Sequence, residues 1–327
     1  MTQGIIENKF IRYILPMFSA TFVILLVWIS QLTIGFGFRI FNIDIDTYEG
    51  TLSGLYEFLL IILLLVYEKV VRVFYKDGNK CCIRFRKPHP LTFPAAIVIA
   101  FGLAGVVTVF MLGVNELAEI FAPVEKLMAD YSESVDRYSE VAVEIVPAFD
   151  KIMNYISMVV LAPIAEELCF RGIVMEHMLK EYHPALAIIL SSVPFALLHG
   201  TTVQALYAFF SGCVLGLVCY YGRSIWASIT VHSIFNFIGG ALIIFLTDGW
   251  FVLSEDLLNS ISGTLALCEL YLPLPAFFAL LIVRRLNADK SLKSQFTVND
   301  AQRAEPAKKS ELPSENVENR YDEDMFE

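Results

Sequence analysis

The sequence contains few charged residues for a chain of its length. Only 18% of its 327 residues are Asp, Glu, Lys or Arg, and 56% are hydrophobic. In soluble domains about 25% of residues are charged. With a mean hydropathy of +0.61, the composition excludes an ordinary water-soluble domain and indicates a protein whose main surroundings are lipid.

The sequence also lacks the motifs typical of redox, structural-metal and nucleic-acid-binding proteins. Its six cysteines form no Cys-x-x-Cys pair, so we expect free buried thiols. No HExxH segment is present to hold zinc from a single helix. The net charge of -10 arises from acids that concentrate in loops and in the C-terminal tail, which gives no support for nucleic-acid binding.

Long apolar runs, in contrast, occur along most of the chain. A helix needs about 20 predominantly apolar residues to cross the hydrocarbon core of a bilayer. Apolar periodicity and chain breakers predict about eight such spans, and therefore an all-α, polytopic membrane protein. The first run is too long for a signal peptide and predicts a retained span, whereas the fifth is short for a full crossing. The predicted spans are Phe10 to Phe36, Leu52 to Val71, Leu91 to Val114, Ile152 to Arg171, Ala185 to Leu198, Val203 to Tyr221, Ile225 to Leu246 and Leu265 to Val283.

Basic residues in one short loop indicate the orientation of these spans. The segment from Lys69 to Lys87 is rich in Lys and Arg and contains a single Asp77 between its ends. Short basic loops stay in the cytoplasm. We therefore expect this segment, and with it both termini, on the cytoplasmic side of a cell membrane.

The segments between and after the spans suggest four regions. We predict an N-terminal three-helix membrane region at 1–114, an external amphipathic helix and loop at 115–151, a membrane core at 152–286, and a disordered cytoplasmic tail at 287–327. In the second region, apolar residues from Leu117 to Ile145 recur at three- and four-residue spacing, which predicts an amphipathic helix that stops near Pro147. We interpret it as a packed cap rather than a substrate gate. The tail is polar and charged and has almost no apolar periodicity.

The fourth span contains two adjacent carboxyl groups and an arginine, and charges in such a position are costly enough to indicate function. Glu167 and Arg171 stand four residues apart on one helical face, so they can pair, while Glu166 is turned about 100° away. The sequence therefore predicts a structural carboxylate, Glu167, beside a less neutralised one suited to act as a general base. Pro163 has no N–H and predicts a kink just before the two acids.

Two further motifs place histidines in the following spans. Phe195 and His199 end the fifth span, and His232 and Asn236 stand four residues apart in the seventh. An imidazole and an amide on one helical face can both donate hydrogen bonds to an oxyanion. Each motif alone is weak, but all three occur in order within a membrane setting.

The three motifs together resemble the signature of a known protease family. EExxxR from Glu166 to Arg171, FxxxH from Phe195 to His199 and HxxxN from His232 to Asn236 are similar to those of the CAAX prenyl protease and bacteriocin-processing family of intramembrane, glutamate-dependent endopeptidases. The resemblance extends from about Ala162 to Gly239 and does not include the first three spans or the tail.

This resemblance implies a membrane protease that cleaves membrane-associated peptide or protein substrates without a cofactor. It implies that Glu166 and His199 activate a water molecule, that His232 and Asn236 form the oxyanion site, and that Glu167 and Arg171 organise the first motif. The residue chemistry agrees, because a carboxylate and an imidazole can deprotonate water while two donors stabilise the developing negative charge.

Three alternatives use the same residues. A zinc-dependent protease would bind its metal through His199, His232 and Glu166. A non-catalytic immunity or scaffold protein would bind a peptide and use the polar cluster only to shape its core. A transporter would use the intramembrane Glu and His side chains as a proton relay.

The short fifth span also leads to an expectation about depth. If this helix begins outside the hydrocarbon on the cytoplasmic face, it ends within the membrane near His199 and Gly200. Broken backbone at that depth is tolerated where it lines a water-filled cavity. We therefore expect a polar cavity that opens toward the cytoplasm and brings Glu166, His199 and His232 within about 10 Å of one another, as direct or one-water contact requires.

Overall fold

The computed structural model describes residues 9–74, 83–141, 147–247 and 253–288. Every regular element in these ranges is helical, which confirms the predicted all-α class. Ten helices follow one another along the described chain: α1 Lys9–Ile40, α2 Glu49–Phe74, α3 Thr92–Ile120, α4 Ala122–Val141, α5 148–178, α6 Pro184–Leu197, α7 Thr202–Gly222, α8 225–247, α9 Glu255–Tyr271 and α10 Pro273–Leu286.

Local sequence signals explain where several of these helices begin and end. The side chains of Thr201, Ser224 and Ser254 accept hydrogen bonds from backbone N–H groups in the first turns of α7, α8 and α9. These bonds satisfy donors that a helix start would otherwise leave unpaired. At the end of α7, Arg223 adopts a left-handed conformation with φ of 50°, which turns the chain directly into α8.

The α5 helix is continuous but irregular around the predicted site. Its residues Ser157–Leu161 and Leu168–Met175 are π-helical, on either side of a regular stretch at Ala162–Glu167. Ala162 donates its N–H to the Ser157 carbonyl, five residues back, just before Pro163, which has no N–H to donate. Such π-helical turns are rare and often occur at functional sites. Here they flank the two glutamates.

Helix α8 lies between two apolar clusters and thereby fixes the third motif in the molecule. Ile225 and Ile229 pack into the cluster formed with α1, α2, α5, α6 and α7. Ala227 and Val231 pack into the cluster formed with α3, α7 and α10. Since both faces of α8 are packed, His232 is held firmly beside α5.

Close helix contacts depend on small residues. A side chain at Gly105 of α3 would overlap the backbone of α9 at Glu269, and one at Gly212 of α7 would press on Ser192 and Phe195 of α6. In lipid, where apolar burial drives association less than in water, such close approach is a main source of packing energy. Gly212 of α7 therefore lies on a face that packs against α6.

The prediction of eight spans is not confirmed. By length and composition, the described residues contain four helices that can cross a membrane, within α1, α2, α3 and α7, and a fifth if α9 and α10, which meet at 61°, form one bent span. Pro184–Leu197 and Ile225–Ala241 are apolar but shorter. The α5 helix contains the Glu166, Glu167 and Arg171 side chains and two π-helical stretches.

The predicted amphipathic segment forms α4, which begins at Ala122 because α3 continues to Ile120. It packs against α3 and α7. The last predicted apolar positions of this segment, at 142–146, lie outside the described residues, as does the predicted disordered tail beyond residue 288.

Candidate functional site

A cavity of about 1150 Å³ lies among the helices that contain the three motifs. This volume slightly exceeds the roughly 300–1,000 Å³ of a small-molecule pocket. Glu166, His199, His232 and Asn236 all line it, and so does Phe195. The tertiary structure therefore brings the three sequence motifs to one place. The location of this cavity within a bilayer stays a prediction.

Glu167 is fully buried beside the cavity and joins two of the motifs. Its Oε1 atom lies 2.7 Å from Arg171 Nη1 and 3.0 Å from His232 Nδ1. Arg171 in turn donates from Nη2 to the Gly212 carbonyl at 3.0 Å. Burying charges is tolerable only when they are paired and hydrogen-bonded. The predicted pairing of Glu167 with Arg171 is thus present, and it also orients His232.

Glu166 points to the other ring nitrogen of the same histidine. Its Oε2 atom is 3.6 Å from His232 Nε2, and 35% of its side chain is exposed. Because the carboxylate of Glu167 accepts from Nδ1–H, the Nε2 atom of His232 faces Glu166 and the cavity. Among the described residues, the ionisable partner of Glu166 is His232 rather than His199. The sequence did not predict that His232 stands between the two glutamates.

His199 is held at the end of α6 by its own helix. Its Nδ1 atom lies 2.9 Å from the Phe195 carbonyl, which can only accept, so Nδ1 carries the proton and Nε2 is left as an acceptor. The Phe195 ring packs at 4.8 Å from the His199 ring and at 6.0 Å from the His232 ring, measured between centroids. The guanidinium of Arg171 stacks over the Phe195 ring, with its Cζ atom 4.5 Å from the ring centroid. Phe195 therefore spaces the two imidazoles.

Asn236 has a structural bond as well as a place in the cavity wall. Its Nδ2 atom donates to the Met158 carbonyl at 3.0 Å. Met158 belongs to the first π-helical stretch of α5, where the irregular backbone frees carbonyl groups from the regular helical pattern. One amide N–H of Asn236 is used in this way, and the amide has a second one to offer.

Two cavity residues were missed by sequence reasoning. Glu57 of α2 is only 5% exposed, lines the cavity and accepts a hydrogen bond from Ser157 Oγ at 2.6 Å. Glu269 of α9 lines another part of the wall and accepts from Thr108 Oγ1 at 2.7 Å. The available signal was the same one that identified Glu166, namely a carboxyl group inside an apolar run.

The cavity lies in the half of the helical bundle away from residues 83–87, the part of the basic segment after α2 that the structure describes. Arg84 contacts Glu176 near the end of α5, and its carbonyl accepts from Ile225 N–H at the start of α8. The lining residues of α5 and α8 instead lie between Met158 and Phe170 and between His232 and Gly240. The cytoplasmic location of the basic segment and the direction in which the cavity opens stay predictions.

The zinc alternative requires at least three suitable ligands in one place. Across the described ranges, no group of three or more His, Cys, Asp or Glu side chains has an arrangement that could hold a metal ion. His199, His232 and Glu166 share the cavity but do not form such a group.

Comparison with known proteins gives one match. Residues 148–238 match the family model Rce1-like, described as Type II CAAX prenyl endopeptidase Rce1-like. No curated protein and no solved structure shows significant similarity to the chain. The matched range begins with α5 and ends just after Asn236, so it includes all seven residues that define the three motifs.

Proposed function

We propose that the chain is an intramembrane endopeptidase of the CAAX protease family, whose Rce1-like model residues 148–238 match, and that Glu166 and His199 activate its water nucleophile. Its substrates are membrane-associated proteins or peptides, bound from the lipid environment. The observation that supports this most directly is that Glu166, His199, His232 and Asn236 line one cavity while Arg171 is paired with Glu167.

The first step is the attack of water on a peptide carbonyl. The partly exposed Glu166 carboxylate accepts a proton from the water, and His199 orients the same water through its Nε2 lone pair. As the water oxygen bonds to the carbonyl carbon, negative charge develops on the carbonyl oxygen. We assign its stabilisation to Nε2–H of protonated His232 and to the second N–H of Asn236.

The second step is the release of the amine. Glu166, now protonated, donates its proton to the peptide nitrogen, the carbon–nitrogen bond breaks, and a free carboxyl group and a free amine result. Glu167 holds a proton at Nδ1 of His232 throughout, so the imidazole presents Nε2 to the cavity. In this scheme Arg171 is a positioning residue, because it contacts Glu167 and not the substrate.

The proposal is tested by removing the base without changing the shape of its side chain. We expect Glu166→Gln to lower peptide cleavage by at least about a hundredfold, since general bases contribute about 100- to 10,000-fold. The measurement compares the N-terminal peptides of the membrane proteome in cells that express the parent or the variant. The matched control is Glu255→Gln, on the exposed first turn of α9.

The same comparison separates the alternatives. Unchanged cleavage products in both Glu166→Gln and His199→Ala, with each variant folded, would contradict the protease and favour a scaffold or immunity protein that uses the cluster only to shape its core. Zinc bound at unit stoichiometry, lost together with activity in His199→Ala, would instead establish the metal-dependent route.

A further inference from the structure

Carboxyl groups line the cavity wall, and no Lys or Arg side chain among the described residues lines it with them. Of the residues that line it, Glu57, Glu166 and Glu269 carry carboxyl groups, two are histidines, and none is Lys or Arg. The nearest guanidinium, that of Arg171, is paired with Glu167 at 2.7 Å. Charges interact strongly where there is little water to screen them. The three carboxyl groups of the wall therefore favour the binding of a positively charged group.

Glu57 is the carboxyl group best placed to use that preference. It is almost as buried as a core residue, at 5% exposed, and Ser157 Oγ fixes its Oε2 atom at 2.6 Å. It lies close enough to Glu166 for their charges to interact. Ser157 and Tyr56 both contribute side-chain hydrogen bonds to Glu57. A carboxylate has about four acceptor positions, so it can accept from a further donor, and a cation is the partner that relieves its repulsion with Glu166.

A second observation indicates a polar ligand in the same cavity. Ser211 of α7 is 3% exposed, lines the cavity, and its Oγ atom has no hydrogen-bond partner among the described residues. A buried hydroxyl that has lost its water and gained no partner is unfavourable. A peptide backbone carbonyl or N–H in the cavity would satisfy it.

We propose that the cavity binds a peptide segment with a Lys or Arg side chain next to the reacting bond, and that Glu57 recognises this cation. The inference rests on the proposed function only in assuming that a peptide bond of the bound segment is hydrolysed in this cavity. Glu57 is thereby a specificity-determining residue: it contacts the flanking side chain of the substrate, while Glu166 contacts the water. Glu269, on another part of the wall, adds to the negative potential.

The test measures binding separately from cleavage. Parent and variants are purified as full chains in nanodiscs of zwitterionic lipid, and short fluorescent alanine–leucine peptides carry one central Lys, norleucine or Glu. Binding is measured in the His199→Ala background, in which the peptides stay intact, and empty nanodiscs correct for partition into lipid. We expect the Lys peptide to bind at least about tenfold more tightly than the norleucine peptide.

In that background, Glu57→Gln should reduce the ratio of the affinities for the Lys and norleucine peptides to about one. Glu68→Gln is the matched control, because Glu68 is equally buried on the same helix, does not line the cavity, and accepts from Ile83 N–H, which a Gln oxygen can also do. It should leave the preference unchanged. Equal affinities for the Lys and norleucine peptides, or a preference that survives Glu57→Gln, would overturn the inference.

Cleavage of the same peptides by the parent then tells the two proposals apart. Selective binding of the Lys peptide without any cleavage would refute the hydrolysis and leave the cation site in place. Cleavage of all three peptides at similar rates would refute the cation site and leave the hydrolysis in place.

Discussion

At the scale of single residues, one oxygen atom of Glu167 determines the geometry of the site. It accepts from both Arg171 and His232, so the first and third motifs are joined at a single buried carboxylate. Removing one partner of such a pair leaves an uncompensated buried charge, which costs about 3–5 kcal/mol. For any variant of Glu167, Arg171 or His232, both the activity and the free energy of unfolding must therefore be measured.

Asn236 allows catalytic and structural roles to be separated. If its second N–H stabilises the oxyanion, Asn236→Ala should lower kcat by about 100- to 1,000-fold with little change in KM. Loss of the bond to the Met158 carbonyl should cost only about 1 kcal/mol of folding free energy. The measurements are steady-state cleavage kinetics and thermal unfolding of the same purified sample.

Thr230→Ala is the control for Asn236. Thr230 Oγ1 bonds the Trp226 carbonyl on the same helix, and the residue does not line the cavity, so its loss should leave kcat nearly unchanged. A purely structural Asn236 would behave like Thr230: activity would fall only in proportion to the folded fraction.

At the scale of helices, the contact between α3 and α9 depends on the absence of a side chain. A Cβ at Gly105 would overlap the Glu269 backbone, whereas one at Gly113 of the same helix would meet nothing within 4 Å. We expect Gly105→Ala to destabilise the protein by about 1–3 kcal/mol through overpacking. Gly113→Ala should instead be neutral or gain about 0.5–1 kcal/mol from helix propensity. Thermal unfolding of both variants in one detergent checks this, and equal effects would contradict the close contact.

At the scale of the whole molecule, the cavity and the basic segment are at opposite ends, so the orientation in the membrane decides which compartment the cavity faces. Following the positive-inside rule, we predict that Arg84 and Arg86 are cytoplasmic and that the turn between α1 and α2 is external. In a chain with its native cysteines replaced, a cysteine at Thr47 should react with a membrane-impermeant thiol reagent in intact cells. One at Lys87 should react only after permeabilisation.

The reverse labelling pattern would place the cavity on the cytoplasmic side and show that the basic segment does not set the topology. Labelling of both positions from the same side would contradict the opposite placement of the two ends.

The sequence by itself determined the helical class, the presence of helices apolar enough to cross a membrane, and the similarity of the central region to a CAAX endopeptidase family model. Apolar runs and helical spacing are local properties, and the pairing of Glu167 with Arg171 follows from a separation of four residues along one helix. Those statements need no knowledge of how distant segments pack. The number of spans was less predictable. The apolar run that predicts the fourth span lies in α5, where Glu and Arg side chains and π-helical turns interrupt it.

Only the tertiary structure decided which side chains meet. His232 lies between Glu167 and Glu166 because α8 packs against α5 between two apolar clusters. The hydrogen-bonded residues Glu167 and His232 are 65 positions apart in the chain. Glu57 comes from a helix with no motif and reaches the cavity through the packing of α2 on α5. Long-range packing also placed the cavity away from the basic segment, because no local rule relates the depth of one helix to that of another.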